Sequence, residues 1–287
     1  MSVVRANGLD VAYEVSGAGP PLVILHGATS LGAQDFAAQL PLLRKAFLVH
    51  MPDARGHGGT AWDARDGFSH RSLVDDLEGF LDALGLRTTH LLGFSMGAIA
   101  ALEFAARDPA RVRTLVVVGI TAEREPRASV ARRLMDPDRA DPAWAEELER
   151  RHAAGQGPGS WRRLLPAIAA DIRDHPLLTP AQLHAIDCPT LVAVGDRDPW
   201  APVDHAWRLA RQVRAGRLLV VPDCGHEVMV RRAGLFNEAL GAFYRATEPV
   251  ARARAEGPGG TAGAAEPAAS VRGAVDTVAS RPEDRSP

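Results

Sequence analysis

The sequence predicts an α/β fold in which a mostly parallel central sheet is flanked by helices. Uninterrupted apolar runs such as residues 22–25 and 115–118 indicate strands that are buried on both faces, which is typical of a parallel sheet covered by helices. Segments with helical spacing of apolar residues alternate with these runs. Glycine-rich loops and loops with Asp or His follow several runs, and functional sites of such folds form at the carboxyl ends of strands.

The predicted elements follow one another with clear turn and stop signals. Strands at 3–6 and 11–15 form a predicted hairpin, because Asn7-Gly8 between them favours a type I′ turn. The segment 72–84 is a predicted amphipathic helix, and Gly85 is expected to end it. The other predicted strands are 22–25, 47–51, 90–94, 115–118, 190–194 and 218–221, and the other predicted helices of the core are 36–45, 98–106, 203–213 and 230–247.

Two changes of pattern divide the chain. Residues 1–120 and 188–248 carry the strand and helix alternation and form the predicted core. Residues 121–187 are rich in Arg, Asp, Glu, Ala and Pro and contain helical patterns near 143–152 and 161–174, which indicates a helical insertion. Residues 249–287 hold no aromatic residue and little aliphatic bulk, so we expect a disordered tail.

Composition excludes several classes of function. The chain has 287 residues, of which 46% are hydrophobic and 24% charged, which is typical of a globular protein with one large or two small domains. A net charge of -2 gives no reason to expect nucleic acid as a partner. No apolar segment has the length of a membrane span or of a signal peptide core. We therefore expect a cytoplasmic protein without a membrane partner, with a homodimer left open.

Metal and disulfide chemistry are not expected either. The two cysteines, Cys188 and Cys224, do not form a disulfide framework and are expected as small buried thiols. No Cys and His cluster has metal-ligand spacing, so no metal is predicted. Seven histidines have no recognisable partner in the sequence and are expected at solvated or capping positions: His50, His70, His90, His152, His175, His184 and His205.

A serine lies at a tight turn between a predicted strand and a predicted helix. Residues 93–97 read Gly-Phe-Ser-Met-Gly, with Ser95 at the centre. A turn of this kind exposes the serine hydroxyl above the sheet, and the flanking glycines allow the backbone to approach closely. The amide of Met96, at the start of the helix, is expected to point towards the serine oxygen. Gly-x-Ser-x-Gly is a short motif, so its significance depends on the rest of the chain.

A base and an acid follow two later strands. Serine is a weak nucleophile at neutral pH and needs an adjacent base that is oriented by a carboxylate. His226 follows strand 218–221, and both Asp196 and Asp198 follow strand 190–194. The chain order of serine, acid and histidine is that of the α/β-hydrolase arrangement.

Taken with these residues, residues 1–247 resemble the α/β-hydrolase superfamily. The matching segments are His26-Gly27, Asp53-Ala54-Arg55-Gly56-His57-Gly58, Gly93-Phe94-Ser95-Met96-Gly97, Gly195-Asp196-Arg197-Asp198 and Gly225-His226, each behind a predicted strand. The resemblance implies an α/β-hydrolase fold in which residues 121–187 form a helical lid over the active site. It also implies chemistry without a metal or an organic cofactor.

The resemblance assigns roles to individual residues. Ser95 becomes the nucleophile, His226 the base and Asp198 the acid, since the family's acid lies three residues past the glycine of this loop. Asp196 competes for the last role, and Glu123 is a further candidate because some relatives place the acid after the preceding strand. The backbone amides of Ala28 and Met96 are the implied oxyanion hole.

Other residues near these motifs are candidates for substrate contact. His26 is such a candidate, and its side chain is expected to be a structural hydrogen-bonding group rather than a second base. Arg55 and His57 are expected to organise the edge of the site. Lid aromatics of this family line the substrate pocket, so Trp144 and Trp161 are candidates, as is Trp200 beside Asp198. Arg162 or Arg163 could bind an acidic product tail.

The implied activity is hydrolysis of a small carboxylic ester, thioester or lactone through an acyl-enzyme on Ser95. Phe94-Ser95-Met96 resembles the elbow of enol-lactonases and of cofactor-free haloperoxidases and perhydrolases. Hydrolases that split the C–C bonds of ring-cleavage products share this triad. A different class stays open too, because some proteins of this fold act as small-molecule receptors or scaffolds with little or no turnover.

Overall fold

The protein is described by a computed structural model, and the structure describes residues 1–256. Eight strands form one sheet in the order β1-β2-β4-β3-β5-β6-β7-β8. Strand β2 runs antiparallel to β1 and β4, and all other neighbours are parallel. The strands are β1 (Ser2–Ala6), β2 (Leu9–Gly17), β3 (Pro21–Leu25), β4 (Leu48–Pro52), β5 (Thr89–Phe94), β6 (Val112–Val118), β7 (Thr190–Gly195) and β8 (Gly216–Val221).

The first two strands form the predicted hairpin. Ala6 pairs with Leu9, so only Asn7 and Gly8 lie in the turn. Their φ angles are +43° and +77°, and positive φ at both central residues is the requirement of a type I′ turn.

Helices cover both faces of the sheet. One face packs against α3 (His70–Ala83), α4 (Met96–Arg107) and α9 (Val203–Gln212). The other packs against α1 (Gly32–Asp35), α2 (Leu40–Leu43) and α11 (Ala233–Glu256). Along β5, Leu91 faces the first layer and Leu92 the second, and both are fully buried. This two-sided burial explains why the strands of the sheet read as continuous apolar runs.

The predicted helix at 36–45 is not continuous. Helical turns at α1 and α2 are separated by turn residues 36–39, and Pro41 lies in the first turn of α2. Proline has no N–H to donate to the carbonyl four residues earlier, so the helix begins again at this point. Helix α3 lies close to the predicted helix at 72–84. The Ser69 side chain caps its start, and Gly85, at a φ of +68°, follows its end as predicted.

The helical insertion at 121–187 contains four helices where the sequence indicated two. They are α5 (Arg127–Leu134), α6 (Pro142–Gln156), α7 (Trp161–Asp174) and α8 (Pro180–Ala185). Apolar side chains of α5, α6 and α7 form a core of their own, which includes Leu148, Trp161, Leu165 and Ile168. This separate core lets the insertion pack as a unit on the carboxyl edge of the sheet.

The last part of the chain is helical beyond the predicted boundary. After the short α10 (Val228–Arg231), helix α11 reaches Glu256. Residues 251–256 are Ala, Arg and Glu, which have high helix propensity, so the helix continues into the segment where the tail was expected. The remainder of the predicted tail, 257–287, lies outside the described residues. Among residues 1–256, no helix combines the length and the apolar character needed to cross a membrane.

Candidate active site

Ser95 lies at the junction of β5 and α4, in a sparsely populated backbone conformation. Its φ and ψ are +49° and −113°, a region that costs a non-glycine residue about 1–3 kcal/mol. The flanking glycines make the turn possible. A Cβ at Gly97 would lie 2.4 Å from the carbonyl oxygen of Leu25, and a Cβ at Gly93 would lie 2.6 Å from the Cα of Ala98. The motif is therefore a strand-to-helix elbow that holds the serine above the sheet.

The structure brings Ser95, His226 and Asp198 together. His226 Nε2 lies 3.0 Å from Ser95 Oγ, and Nδ1 lies 2.8 Å and 3.0 Å from the two carboxylate oxygens of Asp198. Because the carboxylate can only accept, Nδ1 carries the proton and Nε2 accepts from the serine hydroxyl. This arrangement can remove a proton from Ser95 as its oxygen attacks an electrophile.

Asp198 fits the role of orienting acid better than either competitor. Its side chain is fully buried, and Oδ1 also accepts hydrogen bonds from the amides of Trp200 and Ala201. Asp196 instead accepts from the amide of Cys224, a hydrogen bond that lowers the pKa of its carboxyl. Glu123 accepts from Arg208 Nε at 2.7 Å in a surface ion pair and makes no hydrogen bond to the imidazole of His226.

The imidazole of His226 is held by three neighbours. Trp200 stacks on it with a centroid distance of 5.5 Å, and Phe94 packs against it at 4.9 Å. Gly119, which follows β6 and has a φ of +67°, lies below the ring, where a Cβ would come within 2.9 Å of Cε1 and Nδ1. Sequence reasoning missed Gly119, although a glycine directly after a buried strand was a usable signal.

The amides of Ala28 and Met96 are free to bind an oxyanion. Ala28 lines the cavity at Ser95, and Met96 directly follows Ser95 as the first residue of α4. No acceptor among the described residues takes either N–H. The next amide, of Gly97, donates to the carbonyl of His26 at 3.0 Å, which fixes the elbow against the loop that contains Ala28. The Met96 amide also lies at the N-terminus of α4, where the helix dipole favours negative charge.

Buried polar groups fix the loop of residues 26–30, which we call the oxyanion loop. His26 Nδ1 donates to the Gly27 carbonyl, and Nε2 accepts from the amide of Ala54 at 2.9 Å. Asp35 accepts from the Gly27 amide at 2.8 Å and from the Ser30 hydroxyl at 2.6 Å. Burial raises the pKa of Asp35. Both nitrogens of His26 are thus engaged in structure, and His26 is not among the residues that line the cavity at Ser95.

Arg55 and His57 also serve the loops around the site. Arg55 forms a bidentate pair with Asp76 on α3, with hydrogen bonds of 2.6 Å and 2.7 Å. His57 Nδ1 donates to the Arg55 carbonyl, and Nε2 accepts from the amide of Thr29 at 3.0 Å. Burial, followed by the proximity of His26 and His152, holds the pKa of His57 well below its ordinary value.

A cavity of about 570 Å³ opens above Ser95 and is mainly apolar. Trp144 from the insertion and Trp200 both line it. Trp161 does not, because its indole is buried in the core of the insertion and donates to Glu149 at 3.0 Å. The lining residues are Ala28, Phe94, Ser95, Leu134, Met135, Trp144, Trp200, Gly225, His226, Glu227 and Arg231.

Arg162 and Arg163 lie away from this cavity. Arg162 stacks on Trp161 and faces Asp138, and Arg163 lines a surface pocket beside Trp62. Neither is among the residues that line the cavity at Ser95. The one guanidinium among the lining residues belongs to Arg231, which is exposed and pairs with Glu227 at 3.4 Å.

A buried charged network links the insertion to the core. His70, Asp171 and His175 each place a metal-binding atom within 4.8 Å of the others, and His70 Nδ1 contacts the Asp171 carboxylate. His175 Nε2 donates to Glu103 at 2.6 Å, which raises the pKa of His175. Arg127 is buried close to both carboxylates, and burial lowers its pKa to about 10. Since Arg127 and His175 already balance two carboxylates, we interpret the network as an ionic joint rather than a metal centre.

The fold and this site define a hydrolase of the α/β class. The model of the "Alpha/beta hydrolase family" matches residues 22–239, and the chain belongs to that family. The chain is 30% identical over 252 residues to "Serine hydrolase BPHL" of Mus musculus, across 84% of this chain and 85% of the relative. It is 29% identical over 268 residues to a "2-hydroxymuconate semialdehyde hydrolase" of Pseudomonas sp. strain CF600, across 86% of this chain and 95% of that relative.

Solved structures share the architecture. A thermophilic esterase from Thermogutta terrifontis superimposes with a TM-score of 0.68 at 25% identity, over 86% of this chain and 98% of the esterase. The proteins that this chain resembles thus include one named a serine hydrolase, one named an esterase and one named a semialdehyde hydrolase, which agrees with an α/β serine hydrolase and leaves the bond type open.

Proposed function

We propose that this protein hydrolyses a small carboxylic ester, thioester or lactone through an acyl-enzyme on Ser95. The observation that carries the proposal is the chain of contacts from Ser95 Oγ to His226 Nε2 and from His226 Nδ1 to Asp198. The strained elbow at Ser95 and the two free amides beside it support the same function.

In the first step Ser95 Oγ attacks the carbonyl carbon while its proton passes to His226 Nε2. The electron pair of the C=O bond moves to oxygen, and the amides of Ala28 and Met96 stabilise the resulting oxyanion. Asp198 stabilises the imidazolium without taking its proton. When the tetrahedral intermediate collapses, the bond to the alcohol or thiol breaks and His226 protonates the leaving group.

In the second step a water molecule replaces the leaving group. His226 Nε2 takes a proton from the water as its oxygen attacks the acyl carbon, and a second oxyanion forms against the same amides. Collapse breaks the acyl bond to Ser95 Oγ, which regains its proton from His226. The products are the carboxylic acid and free enzyme, so no redox partner is needed.

The cavity supports a neutral, partly apolar substrate. Its walls include Phe94, Met135, Trp144 and Trp200, and its charged residues, Glu227 and Arg231, neutralise each other. Apolar walls with a few polar groups at the reacting centre are typical of small-molecule sites. An ester, thioester or lactone with an apolar acyl group matches this lining better than a substrate with a free carboxylate.

C–C bond hydrolysis is the second candidate, favoured by the similarity to 2-hydroxymuconate semialdehyde hydrolase. The same serine, base and oxyanion amides could serve it. A substrate with an anionic tail would require Arg231 to leave Glu227. Arg231→Met therefore separates the candidates, because it should affect turnover of an anionic ring-cleavage product strongly and of a neutral ester little.

A serine-directed probe and a substrate panel test the proposal. A fluorophosphonate should add covalently to Ser95, as read by intact mass and peptide mapping, and Ser95→Ala should remove the adduct. Short p-nitrophenyl esters, thioesters and lactones should be hydrolysed with kcat/KM values at least 100-fold above those of Ser95→Ala. A wild-type protein that neither labels nor turns over any of them would favour a receptor or scaffold function instead.

A further inference from the structure

Thr29 connects the oxyanion loop to the helical insertion. Its amide donates to His57 Nε2 at 3.0 Å on the core side. Its carbonyl accepts two hydrogen bonds from α6, one from Arg151 Nη1 at 2.6 Å and one from His152 Nε2 at 3.2 Å. Thr29 directly follows Ala28, whose amide is one of the two oxyanion donors. The insertion therefore contacts the backbone one residue away from the proposed catalytic machinery.

The conformation of Thr29 makes these contacts necessary. Its φ is +66°, a left-handed conformation that is unfavourable for a β-branched residue. Such strain persists only where the surroundings hold it in place. Both polar backbone groups of Thr29 are buried and satisfied, one by the core and one by α6. Without the donors on α6, relaxation of Thr29 to negative φ would redirect the chain at Ala28.

Helix α6 reaches this position because its C-terminal half is docked closely on the core. His152 Nδ1 accepts from the amide of Gly58 at 3.1 Å, and Gln156 Nε2 donates to the carbonyl of Thr60 at 2.6 Å. A Cβ at Gly155 would lie 2.0 Å from the Gly58 carbonyl oxygen, so only glycine permits this contact. The N-terminal half of the same helix carries Trp144 to the cavity above Ser95.

We propose that Arg151 and His152 are positioning residues that hold the oxyanion hole in its competent geometry through the carbonyl of Thr29. The inference rests on the proposed function and deepens it. One helix then performs two tasks, since it walls the substrate cavity through Trp144 and orients the Ala28 amide through Thr29. The oxyanion hole is complete only while α6 is seated on the oxyanion loop, so enclosure of the substrate and activation of the site are coupled.

Matched variants of α6 test this coupling. Arg151→Met keeps the apolar stem and removes the hydrogen bond to Thr29. His152→Leu removes the second bond to Thr29 at similar volume, together with the bond from the Gly58 amide.

Gln156→Met is the control, because it removes hydrogen bonds of the same helix to the loop at 57–60 and to the Trp62 amide without touching Thr29. The close contact of Gly155 with Gly58 and the bond from the Gly58 amide to His152 still hold α6 in place in this variant. His152→Gln is the conservative variant, since a carboxamide presents one acceptor and one donor at nearly the spacing of the two ring nitrogens.

Three quantities are measured for each variant: kcat and KM on a neutral p-nitrophenyl ester, and the rate constant for phosphonylation of Ser95 by a fluorophosphonate. Both reactions develop negative charge at the oxyanion hole, whereas KM for a short ester reports mainly on binding. Arg151→Met and His152→Leu should lower kcat and the phosphonylation rate together by about 10- to 100-fold, since the loss of one donor costs about 100- to 1,000-fold. Their KM should change by less than about threefold. In His152→Gln and Gln156→Met, all three quantities should stay near their wild-type values.

Several outcomes would overturn the inference. A loss confined to KM or normal phosphonylation in Arg151→Met would show that α6 acts only as a wall. An equal loss in Gln156→Met would show that the hydrogen bonds to Thr29 have no role beyond the general docking of α6. The Arg151 side chain is partly exposed, so Arg151→Met tests the proposal even where His152→Leu does not fold. A wild-type protein that is neither labelled nor active overturns the proposed function, and this inference with it. An active wild type with unaffected variants overturns the inference alone.

Discussion

Gly119 and His226 lie in direct contact, although 107 positions separate them in the chain: a Cβ at Gly119 would fall 2.9 Å from two atoms of the imidazole. The glycine follows β6 and therefore lies at the same sheet edge as Ser95, which follows the neighbouring strand β5. Its missing side chain leaves the space in which the ring can reach both Ser95 and Asp198.

We predict that Gly119→Ala lowers kcat/KM by about 10- to 100-fold, because displacement of the ring by even 1 Å disturbs proton transfer. It should also destabilise the fold by about 1–2 kcal/mol, since its φ of +67° is unfavourable for alanine. Gly157→Ala is the matched control, as Gly157 has a φ of +84° with no atom near its Cβ position. The control should lose stability and keep its activity. Equal kcat/KM in the two variants would contradict the role of Gly119.

Replacement of the acid should distinguish Asp198 from Asp196. Asp198→Asn leaves the shape of the site but reverses the tautomer preference of His226, so kcat should fall by about 10⁴-fold, as the loss of the acid does in a serine protease triad. Asp196→Asn alters a carboxylate that accepts from the Cys224 amide, so its kcat should stay within a few-fold of wild type. Steady-state kinetics on one ester suffice, and a severe loss in Asp196→Asn instead would reassign the acid.

Two tryptophans of the insertion should differ in what they affect. Trp144 lines the cavity and is only partly buried against the core of the insertion, so Trp144→Ala should shift the preferred acyl length towards longer chains and lower the free energy of unfolding less than Trp161→Ala does. Trp161 is buried in the core of the insertion, so Trp161→Ala should reduce the free energy of unfolding by about 3–5 kcal/mol. An acyl-chain series read as kcat/KM, together with denaturant unfolding, checks both. The assignment fails if Trp161→Ala is the variant that alters chain-length preference.

Buried histidines should make stability fall in acid. Burial lowers the pKa of His152 to about 4 and that of His90 to about 3, whereas an unfolded histidine has a pKa near 6.5. Below about pH 6.5 the unfolded chain therefore binds protons that the folded chain does not, so stability is present above this pH and is lost as pH falls towards 4.

His152→Gln isolates one of these groups, because it keeps a donor and an acceptor but does not titrate. Between pH 6.5 and 4 the unfolding free energy of the wild type should fall by about 1.4 kcal/mol per pH unit more steeply than that of the variant, which corresponds to one proton. Urea unfolding at pH 7.5, 6 and 5 gives the two slopes. Parallel slopes would mean that the pKa of His152 in the folded protein lies close to that in the unfolded chain.

Much of the site could be predicted because its signals are local. The elbow is encoded in five consecutive residues around Ser95, and Asp198 and His226 follow runs that are apolar enough to be recognised as strands. Parallel strands place such loops at one edge, so order along the chain was sufficient to bring the three residues together. The Asn7-Gly8 hairpin turn was recognised for the same reason.

Contacts between distant segments were not predictable in this way. The sequence suggested solvated or capping positions for His152 and His70, yet both are buried, the first against Thr29 and Gly58 and the second against Asp171. The sequence likewise provided no reason to distinguish Trp161 from Trp144 as a candidate for substrate contact. Only the packing of α6 and α7 buries Trp161 in the core of the insertion and leaves Trp144 at the cavity.

The sequence alone indicated the α/β class, the elbow at Ser95 and the candidate acid and base, because each depends on a local pattern and on strand order. The tertiary structure decided which histidines are buried, which tryptophan faces the cavity and what holds Thr29 at positive φ. These features depend on side chains that meet across about a hundred residues or more, such as His152 and Thr29, and only the packing of the insertion on the sheet edge brings them into contact.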